Sequence, residues 1–389
     1  MKWTNKGHEY DEIGKNFINK KVYIWGAGKR GEHLFNRMKP LDCVEAFIDR
    51  DIQKQKNGFL GKQVFSQSEF LKFDKDKVIV IVASDDTINI RCILISLGYV
   101  NGINLFDEWM FNAFYFSIFA LYAYDKLILY RRGLTITEKC SLKCKFCNTG
   151  VSHLNKSSHI NIDNLIRKMK NIFLAYDYLD IFNFSGGEAL LHPDIYNIIV
   201  DYLFTNYSGR FGELHIYSNG YSNMSDELIS LIKKYPVKIL WSNYTNYLDN
   251  SAIVYKIREN IERYRSQGVE VIEINQTYWY DYGFNDKYSS DENEDELIAK
   301  FNECARCPGI PEDDAVSPCA IGYMLGKNML SIIDKEDTVP LISEDKRHKH
   351  ILLESNNGFC EKGYLQVCRY CRGFGSINTK KVIPATDQI

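Results

Sequence analysis

"GLTITEKCSLKCKFCNTG", residues 133–150, runs a short strand, 133–137, into a loop that places Cys140, Cys144 and Cys147 within eight positions. Three thiols cannot all pair among themselves, and cysteines this close in sequence bridge only with strain. Three thiolates can instead hold an iron–sulfur cluster, with one iron left without a protein ligand.

The segments that follow alternate. Helix 161–176 (NIDNLIRKMKNIFLAY) precedes strand 178–188 (YLDIFNFSGGE), and helix 192–204 precedes strand 213–220 (ELHIYSNG). Helix 225–235, strand 237–243 (VKILWSN), helix 251–268 and strand 269–279 (VEVIEINQTYW) complete the series. Strands alternating with helices imply parallel strands joined by crossovers, here a partial (β/α)6 barrel. In such folds reactive residues gather at the C-terminal ends of the strands. The cysteine loop, SGGE, YSNG and WSN all fall there.

Upstream, "KVYIWGAG" (21–28) is a strand entering glycines, "VEAFIDRD" (44–51) a second strand, and "KVIVIVAS" (77–84) a continuous apolar strand suited to a sheet centre. With helices at 29–38 and 87–99 this reads as a small doubly wound α/β domain. G-x-G-x-x-G stands at Gly26, Gly28 and Gly31, between strand and helix, and Asp49 ends the next strand near the distance for a ribose contact. The domain resembles the small Rossmann-type domains found beside sugar-modifying enzymes, which implies nucleotide or nucleotide-sugar recognition. A degenerate scaffold is the other reading.

Composition bounds the function. The chain has 389 residues, 48 Lys plus Arg against 50 Asp plus Glu, and a formal net charge of −2. That balance argues against a dedicated nucleic-acid binder. The first residues, MKWTNKGHEYDEIG, lack the apolar core expected of a signal peptide. "WMFNAFYFSIFALYAY" (109–124) is shorter than a membrane span and is read as an aromatic linker helix, so the expected location is cytoplasmic, with no transmembrane span. There the eleven cysteines stay reduced and favour metal over disulfides.

The motif Cys140-x3-Cys144-x2-Cys147, with Phe146 before the last cysteine, resembles the signature of the radical S-adenosylmethionine (SAM) superfamily. The resemblance implies a 4Fe–4S cluster on these cysteines, SAM chelated at the open iron, and reductive cleavage to a 5′-deoxyadenosyl radical that abstracts a substrate hydrogen. It also implies an electron donor of the flavodoxin or ferredoxin type. "NFSGGEALLHPD" resembles the family's Gly-Gly-Glu motif, with Ala189 in place of the familiar proline. By that likeness Gly186 and Gly187 admit SAM's amino group, and Glu188 accepts from its ammonium. Ser218, Asn219 and Ser242 stand where the family contacts methionine and ribose. Each is also an ordinary turn residue.

Beyond residue 285 the alternation stops, and six cysteines lie among glycine- and proline-bearing loops. Cys304, Cys319 and the Cys368-x2-Cys371 pair resemble the auxiliary-cluster extension called twitch or SPASM-like, with "EDDAVSPC" as its hairpin and Asp314 where the family usually has glycine. This implies a second, auxiliary 4Fe–4S cluster. Cys307 rivals Cys304 as first ligand, a structural zinc site is the alternative, and Cys360 has no place in the pattern. The expected domains are 1–110, the linker helix 111–132, the core barrel 133–300 and the cluster domain 301–389. The expected activity is that of an oxidoreductase or epimerase on a sugar or nucleotide-linked small molecule, with a peptide maturase as the alternative. A non-catalytic iron–sulfur redox sensor is the reading from another class; the sequence assigns no catalytic residue, and Cys360 is read as a core thiol, an extra ligand or a hydrogen donor to a substrate radical.

Overall fold

A computed structural model describes residues 1–389 apart from 313, 333, 387 and 389, and leaves aside the side chains of 200, 201, 311 and 312. The chain divides into two compact units, His8–Ile128 and Met1–Gly7 with Leu129–Ile389.

In the first unit five parallel strands form one sheet: β1 (Lys21–Trp25), β2 (Val44–Ile48), β3 (Gln63–Phe65), β4 (Val78–Val82) and β5 (Leu105–Asp107), in the order β3-β2-β1-β4-β5. This order reverses between β1 and β4, as in doubly wound sheets. The central β4, VIVIV, is buried at all five positions, which explains its unbroken apolar run. β3 and β5, three residues each, were not anticipated; they are too short to show a period and lie at the sheet's edges. The aromatic stretch forms a helix across 108–124 with a π-helical segment at Phe111–Tyr115. It packs within this unit, where Phe17 meets Phe106 and Phe119 at ring separations of 5.7 and 5.5 Å. No helix among the described residues is long and apolar enough to cross a membrane.

The second unit is built on β6 (Ile128–Thr137), β7 (Tyr178–Gly186), β8 (Phe211–Ser218), β9 (Val237–Ser242) and β10 (Val271–Ile274), ordered β10-β9-β8-β7-β6. β7, β8, β9 and β10 pair in parallel. Helix Ile162–Ala175 is capped by the Asn161 side chain, and its buried Leu165, Met169, Ile172 and Phe173 recur at helical spacing. Among the described residues the sheet has five strands rather than six. The segment expected to extend the fifth breaks after Ile274, and β11 (Trp279–Tyr280) pairs antiparallel with β15 (Lys381–Val382). Between them lie helix Glu294–Glu303, opened by a reciprocal Asn293–Glu296 capping box, and a three-stranded sheet. Its strands are β12 (Gly309–Glu312), β13 (Ala315–Ser317) and β14 (Val339–Pro340). Asp314, in the β12–β13 turn, has φ +61, a left-handed conformation that Asp tolerates better than most residues.

Candidate metal centre and cofactor site

The cysteine loop leaves β6 at Thr137, and the end of β7 is laced to it. Gly187 N donates to Thr137 O at 2.9 Å, and Glu188 N donates to Lys139 O at 2.8 Å. A Cβ on Gly186 (φ +142) would lie 2.1 Å from Thr137 O, and one on Gly187 would lie 2.3 Å from Lys139 O. The glycines are thus required by the approach of two backbones, a nearer reason than the approach of a ligand. Cys140, Cys144 and Cys147 share one apolar cluster with Leu142, Tyr244, Trp279 and Ala385.

All eleven cysteines are free thiols. Burial pushes the Cys140 thiol up to about 12 and the Cys144 thiol up to about 11, and neighbouring cysteines add to both. Such thiols ionise at neutral pH only against a bound positive group. Among the described residues no three His, Cys, Asp or Glu side chains are disposed to hold a single ion. Thiolates bonded to separate irons stand wider apart than ligands of one ion, and three free thiols on one loop fit a cluster's donor set.

Glu188 is 1% exposed, and burial raises its carboxyl to about 7. Its Oε2 accepts from Asn219 N at 2.7 Å and its Oε1 from Leu190 N at 3.3 Å, which ties the ends of β7 and β8 together. The Ser218 side chain also hydrogen-bonds this carboxyl, so three of its four acceptor sites are taken and one is left for a ligand. The Asn219 side chain turns back to the loop, with Nδ2 donating to Ser141 Oγ at 3.0 Å and lying 3.8 Å from Cys140 Sγ. Ser218 Oγ accepts from Gly220 N at 2.9 Å. Phe146 is half-buried beneath Lys145, whose Nζ lies 5.4 Å from the ring centroid. Ser242, the last residue of β9, hydrogen-bonds Tyr244, whose phenol is raised by burial and then by all three cysteines.

Sequence reasoning did not single out Tyr244 or Gln388. Tyr244 stands two residues past a strand end that was already marked, a signal that was present. Gln388 Nε2 donates to Cys144 Sγ at 3.4 Å across 244 positions, and no local pattern announces such a contact.

The C-terminal cysteines also gather. Cys304 Sγ accepts from Phe374 N, and Cys371 Sγ accepts from Gly373 N, each at 3.3 Å. Cys319 Sγ accepts from Gly322 N at 3.4 Å, at the start of helix Ala320–Leu325. Burial raises the thiols of Cys304, Cys307, Cys319, Cys368 and Cys371, and the thiols of Cys304, Cys307, Cys368 and Cys371 each feel Cys319. Cys307 therefore lies with the four expected ligands. Cys360 is 2% exposed in an apolar core with Phe284, Leu297 and Leu365.

In the first unit the three glycines differ. A Cβ on Gly26 (φ +120) would lie 2.4 Å from Ala83 O, and one on Gly31 would lie 1.9 Å from Gly26 O. One on Gly28 meets nothing within 4 Å. Asp49 Oδ2 accepts from Ala27 N at 2.8 Å and Oδ1 from Asp51 N at 3.0 Å, so this carboxylate shapes the glycine loop.

Residues 134–295 match the Radical SAM superfamily. The chain carries a radical SAM domain. Residues 18–101 match the family described as C2185-like, N-terminal. A protein of Selenomonas ruminantium named S-adenosylmethionine-dependent nucleotide dehydratase is 33% identical over 101 residues, 26% of this chain and 33% of the relative. The match thus spans about a third of that relative's length.

Solved structures similar to this chain include native anSMEcpe with bound AdoMet, at TM-score 0.41 and 12% identity over 61% of this chain and 83% of the other. BtrN in complex with AdoMet and 2-DOIA gives 0.34 and 14%, over 67% and 96%. Streptococcus suis SuiB bound to S-adenosylmethionine gives 0.29 and 13%, over 48% and 40%. The matched residues take in the end of β6 from Leu134, all of β7 to β10 and the whole cysteine loop.

Proposed function

We propose that the chain is an enzyme that reductively cleaves SAM and abstracts a hydrogen from a sugar or nucleotide-linked substrate, with oxidation or epimerisation as the outcome. One observation carries the reading: three strand ends meet here, with Glu188 N donating to Lys139 O of the cysteine loop, Glu188 Oε2 accepting from Asn219 N, and Asn219 Nδ2 lying 3.8 Å from Cys140 Sγ. In this reading Cys140, Cys144 and Cys147 hold a 4Fe–4S cluster, which when bound supplies the electron for cleaving the sulfonium. Glu188 accepts from the SAM ammonium, and Ser218, Asn219 and Ser242 orient the rest of the molecule. Leu142 and Cys144 are buried with Ala385, and Tyr244 and Trp279 pack against them, which limits water at this side of the site.

Cys304, Cys319, Cys368 and Cys371 hold a second cluster, with Cys307 as a fifth thiol beside them. A nucleotide-linked substrate is favoured by the glycine loop of the first unit and by the name of the Selenomonas relative. A flavodoxin- or ferredoxin-type protein supplies the electron.

The test is anaerobic reconstitution, reduction and assay of 5′-deoxyadenosine. Wild type should form it. The triple variant Cys140→Ala, Cys144→Ala, Cys147→Ala should lose about half the iron of two 4Fe–4S clusters and all of the product. Product from the triple variant would overturn the reading.

A further inference from the structure

We infer that Gln388 is a positioning residue that holds the cysteine loop in register and tunes the charge on Cys144, resting on the reading of Cys144 as a cluster ligand. Its carboxamide uses both ends: Oε1 accepts from Lys143 N at 2.5 Å, and Nε2 donates to Cys144 Sγ at 3.4 Å and to Ala385 O at 2.8 Å. The backbone joins in, with an isolated antiparallel bridge between Cys144 and Gln388. Ala385 is 2% exposed, takes the unusual φ of +56, and packs with Leu142 and Cys144. A left-handed alanine is unfavourable alone and persists where its surroundings hold it.

The other two sulfurs find partners close to the site: Cys147 Sγ lies 3.2 Å from Thr149 Oγ1, and Cys140 Sγ lies 3.8 Å from Asn219 Nδ2. The partner of Cys144 comes from the far C-terminal segment. An N–H···S hydrogen bond stabilises negative charge on sulfur, and a reduced cluster carries more of it. The bond therefore favours the reduced state.

Two variants separate the two contributions. Gln388→Leu keeps most of the volume and removes both polar ends, whereas Gln388→Glu keeps the acceptor for Lys143 N and removes the donor to sulfur. In the iron-free full chain, hydrogen–deuterium exchange at the Lys143 amide, which donates to Gln388 Oε1, should be several-fold faster in Gln388→Leu and near wild type in Gln388→Glu. In the reconstituted protein both variants should shift the core cluster's reduction equilibrium about tenfold toward the oxidised form, ~59 mV in an EPR-monitored titration.

Unchanged exchange at the Lys143 amide in Gln388→Leu overturns the positioning role, and an unchanged midpoint in both variants overturns the tuning role. Amide exchange needs no iron, so failure of Cys144 to ligate a cluster would show as missing iron in wild type and leave the exchange result standing.

Discussion

Replacing Glu188 separates its two duties, because the structure shows one of them and the proposed function requires the other. Glu188→Ala strands two buried backbone donors, Asn219 N at 2.7 Å and Leu190 N at 3.3 Å. Each unsatisfied donor costs about 1–3 kcal/mol, so the strand ends lose roughly 2–6 kcal/mol of local stability. Asn219 in turn reaches Ser141 and Cys140, so the damage spreads to the loop, and iron uptake should fall. Glu188→Gln is the sharper probe. Its amide oxygen can still accept the shorter Asn219 bond, so the loop and its iron should survive. What it loses is charge. A hydrogen bond to SAM's ammonium strengthened by that charge is worth about 1.5–3 kcal/mol, which predicts SAM affinity roughly tenfold to a hundredfold weaker. Calorimetry with SAM on iron-matched wild type and Glu188→Gln measures it. Equal affinities would refute the ligand role and leave Glu188 as a tie between two strands.

Three further outcomes are expected. Cys368→Ala with Cys371→Ala should retain about four irons and uncoupled SAM cleavage while losing oxidised product, whereas a zinc site would show zinc in wild type and unchanged iron in the variant. Gly28→Val should fold normally, because φ is −115 and a Cβ there meets open space, yet it should abolish nucleotide or nucleotide-sugar binding in calorimetry while SAM cleavage continues. Asp337, 5% exposed and accepting from Gln366 N at 3.0 Å, has its carboxyl raised from 3.8 to about 7 by burial. The folded state therefore binds more protons than the unfolded state between those values, and stability falls as pH rises through that window, by up to about 4 kcal/mol. Asp337→Asn should flatten that fall in urea unfolding at pH 5 and pH 8; an identical loss in both proteins would discount the carboxyl.

The strands that were legible are those whose residues face burial on both sides or lead directly into glycine. Val78–Val82 and Lys21–Trp25 announce themselves in this way, and the helix at Thr87–Ser96 ends near Gly98, whose φ is +86. The cysteine loop and SGGE were readable because each follows its own strand within a few residues. Contacts made across the chain were not readable. The pairing of Trp279–Tyr280 with Lys381–Val382 and the reach of Gln388 to Cys144 depend on tertiary closure, which leaves no period in the sequence. The physical reason for Gly186 and Gly187 was also hidden, since what they make room for is the backbone of residues 137–139. Asp314 was visible as a departure from the usual glycine, but its left-handed backbone was not.

The smallest side chain chemistry can add to a glycine is a methyl group, and Gly187 has no room for one. The cysteine loop and the turn that carries Glu188 therefore touch through main chain at Thr137 and Lys139. A side chain at Gly186 or Gly187 would press the loop and the carboxylate apart. Redesign of the loop thus has to leave Gly186 and Gly187 in place and act on residues whose neighbours are side chains.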